Sequence, residues 1–347
     1  MTITAMGLFS GGLDSITACR VIMDQSIRVI GLKFVTPFFD DGLIGREEAY
    51  RAEVREKYGV DVRVVDLSAG YLELLRAPKH GYGKHFNPCI DCKIFMLSRA
   101  RELMEEYNAS FLFTGEVLGQ RPMSQRRDTL RIIERESGCE GILLRPLCAR
   151  LLPETQPERE GLVDRERLYD FSGRSRKRQM ELAGRYGITE YPSPAGGCIL
   201  TDPTLGSRIE KFYQGIFRIG PANMSADDVR LLLVGRQFRL PGGYWFILGR
   251  REAENKRILS LAGPHDALIR MTDRPGPTGL LRRIPVDPPG DPEIEATLHK
   301  AASLIARYAR KVNALPAPGE VTVLLGGEER RFSAVPAKEN DIEQWRL

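Results

Sequence analysis

No stretch of this 347-residue chain approaches the roughly 20 consecutive apolar residues that a membrane-spanning helix needs, so no membrane partner is expected. The N-terminus lacks a basic region followed by an apolar core and a cleavage site, which sets aside a secretory signal and gives the expectation of a cytoplasmic protein. Cysteine is sparse, with six residues at 19, 89, 92, 139, 148 and 198. In a reducing compartment these thiols read as metal ligands or catalytic groups rather than structural disulfides. There is no fixed-period repeat and no low-complexity tract. What is present is ordinary globular material, 42% hydrophobic and 28% charged, long enough for two domains with a core each.

Strong net charge is also missing: the chain carries only +5. Its distribution says more than its size. Residues 1–204 hold 29 Lys and Arg against 29 Asp and Glu, whereas residues 205–347 hold 22 against 17. A surplus confined to one part of the chain points to a polyanionic partner, with nucleic acid the leading class.

The expected domains are 1–204 and 205–347. In the first, short apolar segments at 3–9, 27–35, 60–67, 110–115 and 141–147 alternate with helical patterns at 14–25, 45–58, 93–107 and 123–137. This alternation predicts an α/β fold, a parallel sheet with helices on both faces, whose ligands bind at the carboxyl ends of the strands. A charged irregular stretch at 153–173, a basic helix near 174–187 and the turn-rich YPSPAGGCILTDPTLG follow. The second region predicts a smaller α+β domain. Its signals are a helix capped by Ser225 with Asp228 three residues on, strands in YWFILGR and DALIRMT with a helix between them, a long amphipathic helix at 292–312, and a terminal hairpin turning on Gly-Gly.

The Walker lysine is absent from the one turn built for phosphate. Directly after the first strand comes Ser10-Gly11-Gly12-Leu13-Asp14-Ser15. Glycines allow close backbone approach, and amides at a helix N-terminus aim their N–H groups at an anion. The Ser10 and Ser15 hydroxyls add donors, and Asp14 can cap the helix or help hold Mg²⁺. The pattern SGGxDS resembles the signature of the PP-loop ATP pyrophosphatases. TGEVLGQRPMSQ (114–125) and LRPL (144–147) are similar to the region of tRNA 4-thiouridine synthetases that closes over the nucleotide. The resemblance covers about residues 5–200. It implies that ATP is bound by Ser10, Gly11, Gly12, Asp14 and Ser15 at its phosphates, by Leu8, Phe9, Lys33 and Phe34 at its nucleoside, and by Lys93, Gly115 and Gln125. One extra residue separates Gln120 from Gln125. Neither that family's amino-terminal RNA-binding region nor a rhodanese-like extension is recognised, so RNA grip and sulfur supply are expected from elsewhere.

NPCIDCK sets Cys89 and Cys92 at CxxC spacing just ahead of a helical pattern, and PAGGC places Cys198 in a glycine-rich turn. CxxC serves zinc, redox disulfides and iron–sulfur clusters alike. A zinc site would need a fourth ligand, for which His80 and His85 are the candidates. Related tRNA thiolases carry CxxC plus one distant cysteine as three ligands of a [4Fe–4S] cluster. That resemblance implies that Cys89, Cys92 and Cys198 hold a cluster with one iron open for sulfide, Cys198 being catalytic with Asp14. Cys19, Cys139 and Cys148 read as small buried hydrophobes.

Residues 249–281 resemble the RNA-binding module of NFACT-type proteins through Gly249, Arg250, Asn255 and the turn Asp273–Gly276. Arg250, Arg251, Lys256 and Arg257 are its candidate phosphate contacts, which supply affinity rather than sequence readout. The expected function is an ATP-dependent tRNA thiolase, with tRNA and a sulfide or persulfide donor as partners and a homodimer allowed. Two rivals remain: a zinc-containing PP-loop ligase acting on a small molecule, and a non-catalytic RNA-binding protein.

Overall fold

The structure, a computed structural model, describes residues 3–193, 198–285 and 291–347. The chain divides into two units, residues 1–202 and 203–347. The first runs β1 (Thr4–Leu8), α1 (Leu13–Met23), β2 (Arg28–Val35), α2 (Glu47–Tyr58), β3 (Asp61–Asp66), α3 (Ser68–Arg76), α4 (Cys89–Leu103), β4 (Phe111–Thr114), α5 (Arg127–Glu136), β5 (Leu143–Leu144), α6 (Gln156–Arg159) and α7 (Lys177–Arg185). All five strands are parallel, in the order β3-β2-β1-β4-β5.

Successive residues of a strand point to opposite faces, and β1 shows the consequence. Ala5 joins Val29, Phe111 and Phe113 in a core with Ile16 and Ile22 of α1 and Leu182 of α7. Met6 joins Ile30, Leu32 and Leu112 in a second core with Leu97 and Ala100 of α4 and Ile133 of α5. A sheet buried on both faces explains why its strands read as continuous apolar runs. Strand order reverses between β1 and β4, so the turn after β1 sits at the topological switch point where such sheets bind ligands.

Several local expectations need correction. Of residues 141–147 only Leu143 and Leu144 join the sheet. Pro146 has no N–H for a ladder, and the Arg145 side chain turns into buried ion pairs with Glu116 and Glu134. The CxxC pair lies on the first turn of α4, not ahead of it: Pro88 takes the N-cap position and Cys92 N donates to its carbonyl at 2.8 Å. Residues 123–126 form a turn before α5 rather than its start. Helix α3 was not anticipated; it buries Tyr71 and Leu75, one turn apart.

The second unit runs α8 (Pro203–Tyr213), α9 (Ala226–Leu232), β6 (Arg236–Leu240), β7 (Tyr244–Leu248), α10 (Glu252–Leu261), β8 (Ala267–Met271), β9 (Gly279–Leu281), α11 (Pro292–Tyr308), β10 (Gly319–Leu325), β11 (Glu328–Ala334) and α12 (Glu339–Trp345). Six antiparallel strands form one sheet, β11-β10-β8-β9-β7-β6. Tyr244, Phe246 and Leu248 of β7 face Leu298, Ala302 and Ile305 of α11. On the other face Trp245 packs against Phe212 and Phe217 and donates to Gln237 Oε1 at 2.6 Å. Ser225 and Asp228 form the expected capping box. Asp228 is in turn held by Arg282 at 2.8 Å and Arg283 at 2.7 Å. Among the described residues no helix is long and apolar enough to cross a membrane.

Candidate active site

The phosphate turn is stretched between β1 and α1. Gly11 takes φ of 80°, a conformation that costs other residues about 1 kcal/mol or more. Gly12 is the N-cap of α1 and has no side chain with which to cap the helix. The N–H groups of Leu13 and Asp14, at the positive end of α1, make no hydrogen bond among the described residues. Ser15 Oγ donates to Gly12 O at 2.8 Å and lies 3.2 Å from Ser10 Oγ. Lys33, on β2 and only 4% exposed, donates to the Ser10 carbonyl at 2.8 Å and pairs with Asp40 at 2.7 Å. Its ammonium therefore holds the turn from beneath.

Asp14 projects from the first turn of α1. Gln120 Nε2 donates to its Oδ2 at 2.7 Å, and Gln179 Nε2 donates to Gln120 Oε1 at 3.2 Å. Arg176 stands 3.6 Å away, while Asp14 Oδ1 is buried without a partner. A buried carboxylate oxygen left unpaired at a phosphate turn is the feature a magnesium ion or its water would satisfy. Gly115 closes the end of β4 onto this turn, because a Cβ there would strike the Asp14 carbonyl.

One cavity of about 390 Å³ collects most of the anticipated residues. Leu8, Phe9, Ser10, Asp14, Ser15, Lys33, Phe34, Lys93, Gly115 and Gln125 line it, together with Cys89, Cys92 and Cys198. Gly11 faces instead a neighbouring cavity of about 540 Å³, and Gly12 lines neither. Gln125 reaches the wall despite the extra residue before it. The insertion is absorbed in a closed loop where Arg121 N donates to Gln125 Oε1 at 3.1 Å and Gly119 N donates to Gln125 O at 2.8 Å.

The wall itself carries a charge network, backed by Arg145. Glu116 accepts from Arg145 Nε and Thr114 Oγ1, each at 3.1 Å, and Lys93 lies 3.5 Å from its other oxygen. Burial alone would raise the Glu116 pKa, but Lys93 and Arg145 outweigh it and hold the carboxyl below its ordinary range. Lys93 thus presents its charge to the cavity from a fixed base.

The three thiols reach the cavity from α4 and from the residue before a short 3-10 turn at Ile199–Thr201. Residues 194–197 of the PAGGC motif lie outside the described residues. Burial pushes the Cys92 thiol up to about 12, against the Tyr71 hydroxyl that donates to its sulfur and the Lys93 charge. Burial raises the Cys198 pKa as well, opposed by the Leu200 backbone. Among the described residues no three His, Cys, Asp or Glu side chains converge on a single metal position. His80 is bound to Glu136 at 2.9 Å, and neither it nor His85 lines the cavity, so the zinc reading loses its proposed fourth ligand. The donor set is three soft thiols facing one space, which suits an iron–sulfur cluster better than a four-ligand ion.

Residues 2–150 match the model of the thiamine biosynthesis protein (ThiI) family, and residues 235–346 match the NFACT protein RNA-binding domain. The chain joins a ThiI-type domain to an NFACT RNA-binding domain. A curated tRNA sulfurtransferase of Marinobacter nauticus is 32% identical over 153 residues, 42% of this chain and 29% of that protein. The chain therefore spans less than a third of the curated relative it matches. Two solved structures are similar at low identity. A predicted subunit of tRNA methyltransferase from Methanocaldococcus jannaschii is 15% identical, covering 61% of this chain and 89% of its own at a TM-score of 0.34. The U34-tRNA thiolase NcsA from Methanococcus maripaludis, with its [4Fe-4S] cluster, is 17% identical, covering 62% and 67% at a TM-score of 0.32.

In the ThiI-type domain, sequence reasoning left Gln120, Gln179, Arg176 and Tyr71 without a role. Gln120 stood in the quoted Leu-Gly-Gln motif and could have been assigned. Gln179 and Arg176 lie about 160 residues from Asp14 and carried no signal linking them to it. In the NFACT domain Arg250 and Arg251 precede α10, Lys256 and Arg257 lie in its middle, and the four are not all available. Arg250 is tied to Glu254 at 2.7 Å, Arg251 lies 3.8 Å from the same carboxylate, and Lys256 stands 3.7 Å from Glu252. The Arg250 hydrogen bond, working against burial, draws the Glu254 pKa down, so the pair stays charged. Arg251 and Lys256 remain exposed and able to reach a phosphate.

Proposed function

We propose that this chain is an ATP-dependent tRNA sulfurtransferase that exchanges a uridine carbonyl oxygen for sulfur. One observation carries the reading: a single cavity brings Ser10, Asp14 and Ser15 of the phosphate turn, Lys93, Gly115 and Gln125 together with the Cys89–Cys92 pair and with Cys198, which lies more than a hundred residues further along the chain. ATP lays its phosphates on the Leu13 and Asp14 amides and the Ser10 and Ser15 hydroxyls, while Phe9 and Phe34 border the nucleoside. Asp14, fixed by Gln120 and Gln179 and with one oxygen left unpaired, would help hold magnesium, which would supply charge neutralisation at the phosphates. The uridine oxygen attacks the α-phosphorus and pyrophosphate leaves; sulfide then adds to the activated carbon and AMP departs with the oxygen. Lys93 and the turn amides stabilise the charge that develops on the phosphates. Cys89, Cys92 and Cys198 would hold an iron–sulfur cluster which, when bound, supplies an iron free to carry sulfide. The NFACT domain adds backbone contacts to the RNA.

Pyrophosphate release from ATP in the presence and absence of tRNA tests the reading. The parent should release it only with tRNA, and Asp14→Asn should abolish release without unfolding. Parental release by Asp14→Asn would remove the turn from the mechanism.

A further inference from the structure

We propose that the ThiI-type domain carries an RNA-backbone docking surface of its own, made from two acid-free basic segments, residues 121–127 and 173–178, set side by side at the rim of the nucleotide cavity. The charge count conceals it, because 29 cations and 29 anions balance over residues 1–204. The anions lie elsewhere: four exposed glutamates, Glu47, Glu48, Glu53 and Glu56, crowd onto α2. RPMSQRR and GRSRKR hold seven cations between them and no acid.

Backbone pairing just ahead of the first segment holds it beside the start of the second, across some fifty residues of sequence. Gly173 N donates to Leu118 O at 2.9 Å, and Leu118 pairs with Ser172 in a parallel bridge. The surface begins at the reaction centre, where Arg121 lines the cavity and Arg176 stands 3.6 Å from Asp14. It continues outward through Arg127, anchored to Leu151 O at 3.0 Å, and through Arg174 and Lys177. Arg126 and Arg178 are neutralised by Asp128 at 3.2 Å and Asp170 at 2.5 Å. Arg121, Arg127, Arg174 and Lys177 are exposed, and none makes an ion pair among the described residues.

Like charges gathered without counter-ions repel one another, and a polyanion relieves that cost. A free nucleotide would occupy the cavity alone and leave the outer cations uncovered. A strand of regularly spaced phosphates covers them, and guanidinium forks match phosphate oxygens two at a time. RNA is favoured over an acidic protein segment because the cavity at the rim is read as acting on a tRNA base. The assignment rests on that reading, since a target base at the cavity mouth brings its flanking phosphates over this rim.

The test uses the full chain with Arg127→Gln, Arg174→Gln and Lys177→Gln combined, none of which lines either cavity. Binding of tRNA is measured from 50 to 200 mM salt. Each duplex phosphate contact contributes about 0.9 to the slope of log K against log salt, so the slope should fall by roughly 2 to 3 units. ATP affinity should not change. A second variant, Arg127→Lys, Arg174→Lys and Lys177→Arg, keeps the charges and should keep the slope. A parental slope in the first variant would overturn the proposal, as would loss of slope in the second, which would assign the effect to folding. Preference for poly-glutamate over tRNA would also overturn it. The readout needs no turnover. A changed slope in a chain that thiolates nothing would refute the proposed activity alone, and a parental slope in an active enzyme would refute this surface alone.

Discussion

Gly115→Ala is the smallest substitution that should disable the phosphate turn. A Cβ at this position would lie 2.5 Å from the Asp14 carbonyl carbon and 2.7 Å from Ser15 N, both main-chain atoms that no side-chain rotation can move aside. The backbone of Gly115 itself is not in the left-handed region, so the penalty is purely one of space. Relief requires the end of β4 and the first turn of α1 to part by roughly 1 Å, an overpacking strain of about 1–3 kcal/mol. A displacement near 1 Å at a reacting centre costs roughly 10²-fold in rate, so pyrophosphate release should drop by about one to two orders of magnitude. The assay is tRNA-dependent pyrophosphate release beside a thermal melt. Gly184→Ala is the control: the position lies on α7 with open space around it and should gain a few tenths to about 1 kcal/mol from helix propensity alone. Parental turnover by Gly115→Ala would refute the claim that this contact sets the geometry of the turn.

Three further outcomes follow from the same geometry. Glu116→Gln leaves Lys93 beside a neutral group and Arg145 with Glu134 as its remaining carboxylate, so the loss should stay below the roughly 3–5 kcal/mol of a fully uncompensated buried charge. Because the folded Glu116 pKa is lowered, that stabilisation is fully present above the ordinary carboxylate range and is lost as pH falls through the folded value. The gap in Tm between parent and variant should stay constant from pH 8 to about 5 and narrow toward pH 3; a gap that widens in acid would contradict the pairing. After anaerobic reconstitution with iron and sulfide, Ser at Cys89, Cys92 or Cys198 should lose most of the iron and its broad absorbance, whereas Cys139→Ser should keep both, since Cys139 is buried against Leu97 and Ser137 away from the cavity. Full iron content in Cys198→Ser would remove the third ligand. Glu254→Gln should release Arg250 and tighten tRNA binding at low salt; weaker binding would mean that the Arg250–Glu254 pair is itself part of the RNA surface.

The parts of this molecule legible in its sequence are those fixed by local chemistry. The five apolar segments, the Gly-Gly turn after the first of them and the Ser225 cap each declare themselves within a few residues. The 141–147 run reads as a longer strand than β5 because Arg145 interrupts it for a reason lying just beyond β4, in Glu116, and on α5, in Glu134. The CxxC pair was placed ahead of its helix because nothing local shows that Pro88, not Cys92, sets the N-cap. Tyr71 could not be foreseen beside Cys92, since its helix was invisible and the contact joins α3 to α4. The rim cations of residues 121–127 and 173–178 are each visible, but their adjacency depends on long-range links, the pairing of Leu118 with the 172–173 turn and the Gln120–Gln179 hydrogen bond.

The central claim is that one cavity activates a uridine oxygen with ATP and delivers sulfur to the same carbon. Mass spectrometry of nucleosides from unmodified tRNA, incubated with anaerobically reconstituted protein, ATP, Mg²⁺ and sulfide, measures it directly. The account predicts a thiouridine that appears only when ATP is present, in equal amount to the AMP released, and that is lost in both Asp14→Asn and Cys198→Ser. ATP cleaved to AMP and pyrophosphate while every uridine keeps its oxygen would contradict it.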